Sequence, residues 1–161
     1  MSFRNVPLFD ILADQQSIYP GFGPVLPHSQ ARLDRFIKLA DQATERIQSE
    51  FLAEKPQKDV GIETLDGIIE QMWSEDWDPQ SGDINLFSTD FGLVLTRIIQ
   101  ALVGGRLVFR SETDLNHVSL YWPDRQIEVF PFHKIYKCLA NRTGESLKMF
   151  VEAIRESNAE A

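Results

Sequence analysis

The chain has little cysteine and no long apolar run, and both absences narrow what it can be. Cys138 is its single cysteine, which excludes an internal disulfide and favours a reducing compartment. The most apolar stretch, residues 91–103, is interrupted by Arg97 and is too short for a transmembrane helix. Pro7 and Asp10 come before any apolar run of signal-peptide length. We therefore expect a cytoplasmic location and no membrane association.

The motifs of common enzyme classes are also missing. The sequence contains no GxSxG, GxxxxGK[ST] or GxGxxG pattern. His28, His117 and His133 are far apart in sequence and form no HExxH motif, so zinc has too few candidate ligands. Cys138 lies five residues after His133 on a predicted helix, which turns the two side chains to different faces and argues against a nucleophile–base pair. We expect a non-catalytic protein without a cofactor or metal.

Three aspartates, Asp76, Asp78 and Asp83, invite comparison with a calcium-binding loop. The EF-hand loop requires glycine at position six and a bidentate glutamate at position twelve. Counted from Asp76, Gly82 falls at position seven and Phe87 at position twelve. The EF-hand pattern therefore fails, although a looser cation site stays open as an alternative.

Lysine and arginine are absent from the middle of the chain. Residues 59–96 contain nine acids and no lysine or arginine, whereas residues 1–58 hold seven acids and seven bases and residues 97–161 hold eight acids and nine bases. The net charge of −8 therefore comes from one segment. A field of one sign attracts a basic protein surface and repels nucleic-acid phosphates. We expect a basic protein partner and no nucleic acid, against the alternative that these acids are only solvated.

Two tryptophans lie among these acids. Aromatic anchors with a charged surround are typical of protein-binding hot spots. The alternative is that both indoles close the hydrophobic core while the acids face solvent. The candidate partner-binding residues are Glu70, Trp73, Glu75, Asp76, Trp77, Asp78 and Asp83.

The apolar pattern predicts a single α+β domain over residues 1–161. Helical periodicity is expected at about 30–53, at 61–74, from near Ser88 or slightly earlier to 102 or 103, from Pro131 onward, and through Leu147 to Ile154, followed by a fraying tail. A loop is expected over 73–83. Alternating segments at 106–111, 117–122 and 126–130 predict a three-stranded antiparallel meander with helices packed on one face. The predicted order is α-α-α-β-β-β-α-α.

Capping residues, prolines and glycines set the expected boundaries of the helices. Ser29 is a good N-cap, Pro131 suits the first turn of a helix, and Gly104-Gly105 stops the third helix. Pro56 ends the first helix. Prolines and glycines make residues 1–28 an irregular segment that packs on the body.

The second half carries a recognisable sequence of features. A helix ends in Gly104-Gly105, strands follow, and then come Pro131-Phe132, a Lys-x-x-Lys-x-Leu run and the segment 144–150, which reads Gly-Glu-Ser-Leu-x-x-Phe. Over residues 88–155 this pattern resembles an uncharacterised family of bacterial domains. It is similar in general plan to small cytosolic immunity proteins that accompany toxins of interbacterial competition. The resemblance implies a fold and a binding role, and it supplies no catalytic residue.

These observations favour a non-catalytic acidic protein-binding module, with an immunity protein that neutralises a secreted toxin domain as its specific form. Two alternatives belong to other classes. One is an enzyme or small-molecule-binding regulator with an unrecognised site, which a deep pocket with converging polar side chains would favour. The other is a homodimeric structural or assembly component.

Overall fold

The computed structural model describes residues 23–55, 59–142 and 146–159. These residues contain five helices and three strands, and the predicted α+β class and order α-α-α-β-β-β-α-α are confirmed. The predictions for residues 1–22, for Pro56 and for Gly144 lie outside the described residues. The elements are helices α1 (Gln30–Phe51), α2 (Ile62–Ser74) and α3 (Ile84–Leu102), strands β1 (Arg106–Val108), β2 (Ser119–Trp122) and β3 (Ile127–Val129), and helices α4 (Pro131–Ala140) and α5 (Leu147–Ala159).

Three of the predicted boundaries are confirmed by their caps. The Ser29 hydroxyl accepts a hydrogen bond from the Arg32 amide at 3.2 Å, and Pro131 occupies the first turn of α4. Gly104 has a φ of +92° and donates its amide to the Ile99 and Gln100 carbonyls. A left-handed glycine after the last helical turn satisfies carbonyls that would otherwise lack a donor.

One other helix boundary was predicted wrongly, and the structure makes two loosely predicted ones definite. Helix α3, predicted to begin near Ser88 or slightly earlier, begins at Ile84, because Ile84 is already buried in the core. Helix α2 ends at Ser74, as the predicted range 61–74 has it, and the predicted loop over 73–83 overlaps its last two residues. Helix α5 continues through the expected fraying tail to Ala159, where the Ser157 and Asn158 side chains bond carbonyls one turn back.

The sheet has the predicted meander, with antiparallel order β1-β2-β3. Leu120 of β2 lies opposite Leu107 of β1 and Val129 of β3. Strand β1 is shorter than the predicted 106–111, and the Phe109 carbonyl accepts the amide of Leu26 at 2.8 Å. Backbone pairing beyond Val108 therefore goes to the segment before α1.

Strand β2 is buried on both faces, whereas the sequence predicted helices on one face only. All four of its residues are buried, including Ser119 and Tyr121 on the face opposite Leu120. On that face, Arg110 and Glu128 form an ion pair at 2.8 Å in which both side chains are almost fully buried. The Ser119 hydroxyl donates to the same carboxylate. Alternate side chains of β2 thus point to a buried apolar face and to a buried polar face. Neither face of this strand is exposed to solvent.

Helix α3 is the centre of the core, as its apolar surface predicted. Residues 91–96 are all buried, and α3 packs against both α1 and α4. Gly92 allows the closest approach, because a Cβ there would lie 2.8 Å from ring atoms of Phe132 in α4. Within the described part of the chain, no helix is both long enough and apolar enough to cross a membrane.

Candidate functional site

The candidate partner-binding residues of the sequence analysis centre on one loop. Residues 75–83, here called the acidic loop, connect α2 to α3. The carboxylates of Glu75, Asp76, Asp78 and Asp83 are all exposed. Four carboxylates in nine residues give this connection a local negative field.

The backbone of the acidic loop begins in a defined turn. Asp76 follows the C-cap of α2 with a φ of +65°, a left-handed conformation usually given to glycine or asparagine. The Trp77 amide then donates to the Met72 carbonyl at 3.0 Å, which closes a Schellman motif. Farther on, Asp78 accepts the Gln80 amide at 2.9 Å. The carboxylates are therefore carried on an ordered backbone.

Both tryptophans attach the acidic loop to the end of α4. The Trp73 indole donates to the Cys138 carbonyl at 2.9 Å, and the Trp77 indole donates to the Leu139 carbonyl at 2.7 Å. Carbonyls in the last turn of a helix have no intrahelical donor, so the indoles complete the C-terminus of α4. Each tryptophan is partly buried against the core. This arrangement agrees with the alternative in which the indoles close the core.

Trp77 also joins an aromatic cluster beneath the acidic loop. Its ring meets Phe87 edge-on, with ring centroids 5.5 Å apart. Phe87 in turn contacts Phe51 of α1 and Phe91 of α3. The position of the loop is thus fixed from two sides, by α4 carbonyls and by the core.

Four other acids of the mid-chain segment have structural partners. Glu63 and Glu70 pair with Lys148 and Arg142, and Asp90 pairs with Arg46. Asp66 accepts the amides of Leu147 and Lys148 at 2.7 and 3.0 Å, which caps the start of α5. Glu70, which the sequence grouped with the loop acids, is therefore part of an ion pair at 2.6 Å.

The carboxylates of the acidic loop differ from these four acids in their ion pairing. Across residues 23–55, 59–142 and 146–159, none of the ion pairs involves Glu75, Asp76, Asp78 or Asp83. Leu86 in the first turn of α3 is 60% exposed and lies three residues beyond Asp83. The loop therefore combines carboxylates that face solvent with an apolar side chain beside them.

A separate cavity lies between α3, α4 and the connection from β1 to β2. Its volume is about 280 Å³, and it is lined by Asn85, Asn116, His117, Phe132, His133, Tyr136 and Lys137. The His117 and His133 rings, far apart in sequence, meet with centroids 5.2 Å apart. Burial lowers the pKa of His133 below its ordinary value of 6.5, helped by the nearby His117 and Lys137 charges and opposed by Asp114.

Sequence reasoning missed this cavity, although part of its signal was present. His133, Tyr136 and Lys137 have the i, i+3, i+4 spacing that places side chains on one helix face. Asn85 and His117 come from other elements, and only the tertiary fold brings them to that face. The residues that the structure describes contain no cluster of three or more His, Cys, Asp or Glu side chains able to hold a metal ion.

Comparison of the chain with family models, with curated proteins and with solved structures found no match. The family pattern noted over residues 88–155 therefore stays a prediction.

Proposed function

We propose that this chain is a non-catalytic binding module whose acidic loop docks a basic protein. One observation carries the proposal. Glu75, Asp76, Asp78 and Asp83 are exposed on a single ordered connection and take part in none of the ion pairs among the described residues. Four of the other mid-chain acids, Glu63, Asp66, Glu70 and Asp90, have partners on neighbouring elements, whereas the four loop acids lie together on one exposed connection.

The fixed position of the acidic loop supports this role. A loop that is already ordered loses little conformational freedom when it binds, which improves affinity for a given set of contacts. The Trp73 and Trp77 indoles provide that order through α4. They act as positioning residues, and the carboxylates make the contacts.

Charged and apolar groups affect different steps of binding. Exposed carboxylates attract a basic surface over a distance and raise the association rate, whereas an apolar anchor slows dissociation. Leu86, 60% exposed next to the loop, is the anchor in this proposal.

The partner class we propose is a basic toxin domain, with this chain as the immunity protein that neutralises it by binding. The pattern of residues 88–155 favours this form, and the acidic loop adds a surface complementary to a basic toxin. An immunity protein of this kind needs no catalytic group.

The test compares two variants of equal net charge. The loop variant carries Glu75→Gln, Asp76→Asn, Asp78→Asn and Asp83→Asn, and the control variant carries Glu45→Gln, Glu50→Gln, Glu152→Gln and Glu156→Gln at exposed positions of α1 and α5. Each removes four negative charges from −8 and leaves −4. A photo-crosslinking residue at Gln80 identifies the partner in cells of the source organism, and the purified partner is then titrated by calorimetry.

We expect a basic partner that crosslinks from Gln80, binds the wild type and the control variant alike, and binds the loop variant at least about tenfold more weakly. Equal affinity for all three proteins would remove the acidic loop from the function. Crosslinking of the chain to a second copy of itself would instead support the homodimeric alternative.

A further inference from the structure

The half-open cavity between α3 and α4 is about the size of a site for a small molecule. Its volume of about 280 Å³ lies just below the range for ligand pockets, which is roughly 300–1,000 Å³. It therefore suits a ligand of about one ring and one polar group. This cavity is distinct from the acidic loop and shares none of its residues.

Three separate elements build the cavity. Helix α4 supplies His133, Tyr136 and Lys137 from one face, and Phe132, 1% exposed, forms an apolar wall. Phe132 reaches this position because Gly92 of α3 leaves room for its ring.

The other two elements bring polar side chains. Asn85 comes from the first turn of α3, and Asn116 and His117 come from the connection before β2. The T-shaped contact between His117 and His133, at 65° between the ring planes, joins that connection to α4. The cavity is thus a product of the packed fold and belongs to no single loop.

The lining is rich in hydrogen-bond donors and lacks acids. Lys137 provides an ammonium group, Asn85 and Asn116 provide amides, and the two imidazoles donate when protonated. Of the described residues that line the cavity, none is acidic, in a chain whose net charge is −8. Such a set of donors favours a negatively charged ligand.

The helix ends add to this preference. Asn85 is the second residue of α3, and Phe132 and His133 are the second and third residues of α4. The first turn of a helix carries a partial positive charge, and neither first turn contains an acid. Asp83 is the N-cap of α3 and carries a negative charge there, so it is the first turn of α4 whose field has the same sign as the charge on Lys137.

We propose that this cavity binds a small organic anion, whose carboxylate or phosphate is held by Lys137 and His133 and whose apolar body lies against Phe132 and Tyr136. The two asparagine amides complete the set of donors.

Binding of an anion at this position depends on pH. The groups that act on His133 are the His117 and Lys137 charges and burial, which lower its pKa, and Asp114, which raises it. A bound anion favours the imidazolium form and raises the pKa of His133. Because binding then takes up a proton, affinity increases as pH falls toward the lowered pKa of His133 in the free chain.

The experiment is a titration of the ¹⁵N-labelled full chain followed by NMR. The probes are benzoate, phenyl phosphate, inorganic phosphate and the neutral benzamide. We expect saturable shifts at His133 and Lys137 with benzoate, phenyl phosphate or both, and at least about tenfold weaker binding of benzamide. Inorganic phosphate distinguishes an ion site from an organic-anion site, since we expect it to bind more weakly than phenyl phosphate.

Two variants on the same helix form a matched pair. Lys137→Gln removes the ammonium of the cavity and weakens binding about tenfold. Lys134→Gln removes the same charge from a residue that lies over the Phe150 ring instead and leaves binding unchanged. His133→Gln abolishes the pH dependence of the affinity while the amide spectrum stays that of a folded chain.

The proposal is overturned if no organic anion gives saturable shifts at these residues, or if benzamide binds as well as benzoate. Equal losses in the Lys137→Gln and Lys134→Gln variants would also overturn it. The loop variant described above keeps all the lining residues, so we expect it to bind the anion as the wild type does. A failure of the acidic loop as a docking surface is therefore distinguishable from a failure of this site.

Discussion

At the scale of single residues, the most informative side chains are the two tryptophans. Each indole N–H reaches a carbonyl of α4 that lies more than sixty residues away in sequence. Such a contact joins the acidic loop to the body by a directed hydrogen bond as well as by apolar packing. The indoles therefore contribute to the stability of the fold.

This role predicts a measurable cost for removing the indole N–H alone. Trp73→Phe and Trp77→Phe keep an aromatic ring and lose the donor to Cys138 or Leu139. We expect each to lower the free energy of unfolding by about 1–3 kcal/mol, because a carbonyl in a partly buried environment loses its donor and some packing is lost. Urea denaturation followed by circular dichroism measures the change. Unaltered stability in both variants would show that these hydrogen bonds are not needed.

His133 gives a prediction on pH. Its pKa in the folded chain is lowered below 6.5, chiefly by burial, while the unfolded chain keeps the ordinary value. Between the two values the unfolded state binds more protons, so the stability contributed by His133 is complete above about 6.5 and decreases as pH falls through the folded pKa.

Two measurements check this prediction. The ¹H NMR titration of the His133 ring, assigned by its absence in His133→Gln, has a midpoint below 6.5. The same variant shows a shallower loss of stability between about pH 7 and pH 5 than the wild type. A His133 midpoint at or above 6.5 would contradict the assignment of burial as the dominant cause.

At the scale of elements, the contact between α3 and α4 organises the molecule. It places Phe132 against Gly92, and so sets the wall of the cavity and the position of the α4 C-terminus that receives the indoles. A single close approach thus supports both candidate sites.

Two glycine-to-alanine changes test this contact. At Gly92, the added methyl group lies within 2.8 Å of Phe132 ring atoms, so we expect a loss of about 1–3 kcal/mol of unfolding free energy from overpacking. At Gly67 in α2, the added Cβ meets nothing within 4 Å, so we expect a gain of about 0.5–1 kcal/mol from helix propensity. Urea midpoints of the two variants compare them directly. Two gains of equal size would show that the helices do not require this approach.

Local sequence signals predicted the elements well where a boundary depends on one residue. Ser29, Gly104 and Pro131 each act through their own backbone or side-chain chemistry, so their positions follow from sequence. The start of α3 was bounded only loosely, near Ser88 or slightly earlier, because burial of Ile84 is a tertiary property. The extension of α5 was missed for a related reason, since the side chains of Ser157 and Asn158 stabilise its last turn.

The candidate sites were less predictable than the elements. The acidic segment was visible in composition, but its division into structural acids and loop acids depends on partners such as Lys148 and Arg142 on or near α5. The cavity depends on His117 and His133 meeting across the fold. A contact between two residues far apart in sequence cannot be predicted from local sequence signals, because the fold alone sets the distance between two elements.

At the scale of the whole molecule, the acids that give the net charge of −8 are concentrated in one segment. Within that segment they have different structural roles. Ion pairs and a helix cap use four of the nine mid-chain acids to join α2, α3 and α5 to their neighbours. The acidic loop holds four more at the surface. The cavity, in contrast, is lined by hydrogen-bond donors, and none of its described lining residues is acidic. The chain thus has an exposed acidic loop and, apart from it, a cavity for which we propose an anionic ligand.

The association rate constant of the crosslinked partner tests the central claim most directly, measured by stopped flow as a function of salt. Between about 0.01 M and 0.15 M ionic strength the screening length falls from about 30 Å to about 8 Å. We expect the rate constant for the wild type and the control variant to fall steeply over this range, and that of the loop variant to start lower and fall less. If the loop variant and the control variant show the same rates and the same dependence on salt, then net charge and not the acidic loop governs association, and the proposed docking surface is wrong.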